Sequence, residues 1–225
     1  MKKTVVCLAN SYKKSNRCIA GIEILAPGAY RWIRPVGDRE GKGVSDWEMV
    51  LADGTVPRLF DVVEIDLIEH RPEGHQRENY LLNPKAMWQR IGQYPWRLVD
   101  GLPMSEEPLW PKGHGTDSGG LNCRISEETA KSQLDSLRLI YSRLVVEVAP
   151  AYTPHWAPKV WAEFRHAGQD YRLKVTDPVA LSRFRRRGTG RYRLGDSLLT
   201  ISLTEKYDDD HSYKIVAGIA ERSPV

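Results

Sequence analysis

The sequence predicts a mainly β protein of two five-stranded Greek-key barrels joined by a partly helical insertion. Three observations carry that expectation. Short apolar runs with period-two alternation recur through both halves. The order strand, strand, strand, helix, strand, strand can be read from residue 137 onward. A stretch rich in Pro, Gly and Trp separates the halves. The expected boundaries are 1–83 for the first barrel, 84–136 for the insertion and 137–225 for the second barrel.

In the first half, Thr4–Ala9, Cys18–Leu25 and Tyr30–Val36 read as strands, and Ala26, Pro27 and Gly28 supply the turn joining the last two. The loop GDREGKG leads into a short helical or irregular piece, SDWEMVLADG. Leu59–Glu69 and Tyr80–Leu82 then complete five strands. The insertion is expected to carry a helix over Lys85–Gln93 and to pass through the flexible string HGTDSGG. A second short helix starts at Ser126, whose hydroxyl can cap while Glu127 and Glu128 sit at the positive end of the macrodipole.

The second half is more regular. Leu137–Tyr152 is a long β-branched and aromatic run, and VWAEFRH and YRLKV form a hairpin around Ala167–Asp170. Asp177 is a good N-cap with Pro178 at the first helical position, opening a helix Val179–Arg186 that stops at Gly188. Ser197–Lys206 and Tyr213–Ala220 are the last strands, separated by the acidic turn DDDHS. One helix between strands three and four is the connectivity of the OB-fold. An SH3-like barrel, the main competitor, has no true helix there. The first half repeats the scheme in pattern only, without a residue-level repeat.

With 225 residues, 41% of them hydrophobic, the chain can bury a real core. No apolar run approaches the ~20 residues of a bilayer crossing, and no membrane partner is expected. The start MKKTVVCLANSYKK has too short an apolar run for a signal peptide, so a first strand and a cytoplasmic location are expected. Cys7, Cys18 and Cys123 are odd in number and widely spaced, which fits reduced thiols. With His114 they form no metal-ligand spacing, and Asp208, Asp209 and Asp210 lack the pattern of a calcium loop, so neither metal nor cofactor is expected. Asp38, Glu40, Glu163 and the histidines show no pairing that supports acid/base catalysis, although His155, His166 and Asp170 could meet near the hairpin.

Charge is the sharpest functional signal. The net charge is +4, yet the segment 154–193 holds ten Lys/Arg against Glu163, Asp170 and Asp177. That segment is +7 and the rest of the chain is negative. Its densest part, RFRRRGTGRYRLG, has six arginines in thirteen residues. A field this concentrated is what a phosphate backbone rewards. GTG itself is no phosphate loop, since the following Lys-Ser/Thr is missing.

Alternation puts Val160, Ala162, Phe164, Leu173 and Val175 on one face of the hairpin and Trp161, Glu163, Arg165, Arg172 and Lys174 on the other. The expected nucleic-acid interface therefore comprises Arg165, Arg172, Lys174, Arg183, Arg185, Arg186, Arg187, Arg191 and Arg193 for phosphates, with Trp161, Tyr171 and Tyr192 as stacking plates. The competing reading is that these arginines are neutralised by Glu205, Asp208, Asp209 and Asp210. A second polar site is expected around Asn10, Ser11, Lys13, Arg17, Trp32 and Arg34, with Lys14 and Asn16 alongside; there the match of Ser11–Lys14 to S-x-x-K is accidental, because it follows a strand rather than sitting on a helix.

The string CLANSYKKSNRCIAG followed by RWIRPVGDREG resembles the opening of the bacterial family of dual OB-containing domain proteins. The resemblance is most specific over residues 1–45 and architectural beyond. It implies two OB barrels and a nucleic-acid-binding role in bacterial defence or conflict systems, with no catalytic site to carry over. The expected function is a non-catalytic module that binds single-stranded DNA or RNA, or a structured RNA. Two alternatives stand beside it. One is a protein-interaction module docking through Trp88, Trp96 and Trp110. The other is a nucleotide-processing enzyme with a pocket between the barrels around Asn10, Arg17 and Arg34.

Overall fold

The computed structural model describes residues 1–13, 16–39, 41–151, 153 and 157–222. Lys14, Glu40, Tyr152 and His155 lie outside them. The chain divides into two compact units, Met1–Pro103 and Met104–Val225. Residues 84–103 therefore belong to the first unit and 104–136 to the second.

The first unit is built from β1 (Lys2–Lys13), β2 (Asn16–Ala26), β3 (Ala29–Val36), β4 (Asp61–His70), β5 (Asn79–Leu82) and β6 (Gln89–Gln93). The sheet runs β1-β2-β3-β5-β4-β6, and a β1–β4 pairing closes it into a barrel. β3 and β5 are parallel and the other pairs are antiparallel. Closure leaves no open edge among these five strands and encloses a core of Val5, Ile33, Leu51, Val63, Ile65 and Trp88. The expected helix over Lys85–Gln93 does not form. Gln89–Gln93 is instead a strand on the edge of β4, and Leu51 bridges to Trp88. Burying the indole and pairing its backbone outweighs the local helical tendency.

The second unit contains β7 (Arg124–Ser126), α1 (Glu127–Lys131), β8 (Leu137–Val148), β9 (Val160–His166), β10 (Gln169–Val175), α2 (Pro178–Arg187), β11 (Gly190–Lys206) and β12 (His211–Glu221). The order β10-β9-β8-β11-β12, closed by a parallel β10–β12 pair, repeats that of the first barrel. Each unit thus has the five-stranded Greek-key closure of an OB-fold, and the protein is mainly β. The β9–β10 hairpin turns on Ala167 and Gly168, both with positive φ (46° and 76°), as a two-residue primed turn demands.

Helix α2 starts as the sequence indicates. The Asp177 carboxylate accepts from Val179 N and Ala180 N and also from Ile219 N on β12, so one side chain caps the helix and ties it to the last strand. Ala180, Leu181 and Phe184 form its buried stripe, and Gly188 ends it at φ 87°. Strand β11 differs from expectation. It begins at Gly190 rather than Ser197, with a bulge between Leu194 and Ser197, so Arg191, Tyr192 and Arg193 sit in a ladder with β8 instead of a loop. Segment 113–126 fills the seam where β10 and β12 diverge. Leu121 pairs with Arg172 on β10, and β7 pairs with β12.

Candidate functional site

The ladder registers sort the outer face of the second barrel into two cross-strand rows. One contains Arg191, Glu147, Trp161 and Lys174; the other contains Arg193, Val145, Glu163 and Arg172. The two glutamates capture two of the arginines. Arg172 donates through Nε to Glu163 at 3.0 Å and through Nη2 to Glu147 at 3.0 Å. Arg191 meets Glu147 at 3.1 Å and Glu163 at 2.5 Å. These four side chains close a ring across β8 to β11. The Arg191 hydrogen bond, against the opposing cost of burial, holds the Glu163 carboxyl below the usual carboxylate range. Arg172 also donates to Gly119 O and lies 4.5 Å from the Trp161 ring.

Other expected phosphate ligands are also engaged. Arg165 pairs with Asp170 at 3.4 Å and Arg183 with Glu221 at 2.8 Å. The acids that neutralise the stretch are thus Glu147, Glu163, Asp170 and Glu221. Asp209 holds Arg124 and His211, and Asp210 holds Lys206, so these acids of the turn serve its own hairpin and the adjoining β7. His166 Nε2 is bonded to Glu107 O at 2.9 Å, while Asp170 is taken by Arg165.

Five of the expected cations have no carboxylate partner among the described residues: Lys174, Arg185, Arg186, Arg187 and Arg193. Arg185 donates to Pro158 O at 3.0 Å and Arg186 to Ser182 O at 3.3 Å, while Arg187 lies 4.1 Å from the Tyr192 ring. Burial lowers the Lys174 ammonium below the ordinary lysine value, and the cations of Lys159 and Arg185 push it the same way. Those interactions place Lys159, Lys174 and Arg185 in one electrostatic neighbourhood, continuous with the cationic last turn of α2. A helix C-terminus favours cations through its dipole, by about 0.3–1 kcal/mol each at a surface, so the three arginines are tolerated there without acids.

The expected stacking plates need correction. Tyr171 is 1% exposed, stacks on Phe164 at 5.4 Å inside the core and accepts Leu109 N, because it shares the inward parity of Leu173 and Val175. Trp161 is 5% exposed, with Arg172 over its ring. Tyr192 bonds to Arg187 O and Gly188 O and packs between Arg187 and Phe184. An exposed ring stands instead on the last hairpin. Tyr207 on the β11–β12 hairpin is 55% exposed and meets Tyr213 edge-to-face at 5.1 Å. The only sequence signal was a pair of tyrosines flanking the acidic turn.

Tyr207 and Tyr213 form one wall of a cleft of about 410 Å³. Trp161, Lys159 and Lys174 line it from the barrel, and the 116–118 tip of the seam segment also lines it.

The second polar site does not gather. Ser11 and Arg34 are buried, Arg34 against Glu78 at 2.8 Å. Asn10 Nδ2 donates to Pro57 O, Arg17 pairs with Asp46 and covers the Tyr12 ring, Lys13 lies opposite Asn16 at the hairpin end, and Trp32 pairs with Ile22 in register. Each is held by a different partner. Trp88 and Trp110 are in the cores and Trp96 packs edge-to-face on Phe60, so these are not the exposed docking aromatics expected of an interaction module. Trp47, in contrast, is 89% exposed.

Among the described residues, no three His, Cys, Asp or Glu side chains come together as a metal site, and no helix is long and apolar enough to cross a membrane. No curated protein matches the sequence. The family model for the dual OB-containing domain matches residues 3–219, which span both closed barrels, and the chain belongs to that family.

Proposed function

We propose that the protein is a non-catalytic module that binds single-stranded nucleic acid, or a structured RNA, through the second barrel. OB-folds commonly bind oligonucleotides on the face of strands two and three with the adjoining loops, here β9, β10 and the β11–β12 hairpin. One observation carries the reading. Arg185, Arg186 and Arg187 leave the last turn of α2 without carboxylate partners among the described residues, and through Arg185 they continue into Lys159 and Lys174 on that face. The strip has the charge for several phosphates.

The ring of Arg172, Arg191, Glu147 and Glu163 has a different role, cross-tying four strands beside the strip. A bacterial defence context follows from the family resemblance alone. The test is equilibrium binding of the full chain to a labelled single-stranded pool at about 50 mM salt. The wild type is expected to bind, and R185E/R186E/R187E to lose at least about tenfold in affinity, because six units of charge change where phosphates are neutralised. Absence of salt-dependent binding to any single-stranded DNA or RNA pool overturns the proposal.

A further inference from the structure

The cleft between the tyrosine hairpin and the seam segment has a composition that the cationic strip alone does not require. We infer that it is a pocket for one nucleoside monophosphate unit. The inference rests on the preceding reading where that nucleotide is the end of a strand, and stands apart from it where the nucleotide is free.

Size, charge and rings agree on this ligand. About 410 Å³ lies within the range of small-molecule sites and holds one nucleotide. Lys159 and Lys174 line the same space without carboxylate partners among the described residues, and a bound dianion offsets the burial of the Lys174 ammonium and, after it, the repulsion from Lys159, which together lower it. Arg124 also lines the cleft, but Asp209 already neutralises it at 3.2 Å. Tyr207 offers an exposed ring face for a base, fixed by its contact with Tyr213, whose hydroxyl donates to Asp209 at 2.6 Å. The Thr116 and Ser118 hydroxyls, 3.2 Å apart at the seam tip, add polar contacts, and Asp117 between them can accept from a sugar hydroxyl. Inorganic phosphate would use the lysines and waste the rings; a nucleoside would do the reverse.

Isothermal titration of the full chain with 5′-AMP, 5′-CMP, adenosine and inorganic phosphate tests the pocket. The expected result is 1:1 binding of the mononucleotides, with adenosine and phosphate each weaker by about tenfold or more, since each forfeits one of the two contacts. K174Q and Y207A, checked for an unchanged melting profile, should each lower mononucleotide affinity about tenfold. R186E, outside the cleft, should leave it within about twofold while weakening oligonucleotide binding.

A preference of the protein for a 5′-phosphorylated over a 5′-hydroxyl strand of the same sequence assigns the pocket to strand ends. Equal binding of the two strands, with 5′-AMP still bound, assigns it to a free nucleotide. Mononucleotide binding without oligonucleotide binding retires the single-strand reading and keeps the pocket. Failure to bind any mononucleotide, or binding unmoved by both K174Q and Y207A, overturns the pocket even if oligonucleotides bind.

Discussion

The two barrels share a strand order and one parallel strand pair each, and differ in what joins their third and fourth strands. In the first, the described residues between β3 and β4 form turns and two isolated bridges, Val44 to Arg17 and Leu51 to Trp88. In the second, the capped helix α2 makes the connection. Charge follows the same division. All four arginines on strands of the first unit, Arg17, Arg31, Arg34 and Arg90, meet carboxylates. In the second unit most sheet arginines are also paired, Lys174 and Arg193 being strand cations without a carboxylate among the described residues, while Arg185, Arg186 and Arg187 cluster without acids at the end of the helix that joins β10 to β11. A closed OB sheet therefore tolerates cations by matching them with its own acids. On the proposed reading the connection supplies the binding charge, because the helix dipole stabilises cations there without acids.

The buried cations give the comparison its largest expected effect. Arg34 is buried against the carboxylate of Glu78, whereas Lys214, 1% exposed, rests on uncharged oxygens, Pro111 O at 3.0 Å and Asn122 Oδ1 at 2.9 Å. Glu78→Gln leaves the guanidinium without its compensating charge and should cost about 3–5 kcal/mol in chemical denaturation. A loss below about 1 kcal/mol would break the contrast between a paired and an unpaired cation.

Lys214 should behave in the opposite sense. Burial lowers it from 10.5 to about 8, so the folded state prefers the neutral amine. Below pH 8 the ammonium is present in both states and the penalty is complete. As pH rises from 8 to 10.5 the unfolded chain holds more protons, and stability should increase by up to about 3 kcal/mol. Lys214→Met should remove that rise, read as the wild-type-minus-variant difference in unfolding free energy against pH.

Next in size is the helix anchor. Asp177→Ala strips partners from three backbone N–H groups, two in α2 and one on β12, and should cost about 2 kcal/mol. Hydrogen exchange should show faster exchange in α2, with the first barrel unchanged. The smallest effect belongs to the seam. Gly119 has φ 94° and abuts the Arg172 guanidinium, so Gly119→Ala should cost about 1–2 kcal/mol in thermal unfolding while leaving the strand order intact.

Much of this fold could be read from the residues because local signals and tertiary demands coincide. Asp177-Pro178 starts α2 where the barrel needs a helix, and the parity of Val160, Ala162 and Phe164 points inward as the core requires. Lys85–Gln93 failed because a long-range partner, β4, claimed the segment as a strand. The site was legible in its charge but not in its pairing. Glu147 and Glu163 lie 44 and 28 residues from Arg191, and only closing the barrel brings them together. Tyr171 is a different failure. Its parity with Leu173 places it inside, and parity decides over an aromatic's nearness to arginines in sequence. Tyr207 is not legible in the sequence, because a single exposed ring on a hairpin leaves no periodic trace.

The central claim is that free charge at the end of α2, rather than the charge of the sheets, holds the nucleic acid. Its direct test is the slope of log binding constant against log salt for a single-stranded pool, measured on the full chain. The account predicts that R185E/R186E/R187E flattens the slope by about 2, three phosphates at about 0.7 each, while K2E/R31E in the first barrel leaves it unchanged. Equal slopes for the wild type and the triple variant would contradict it.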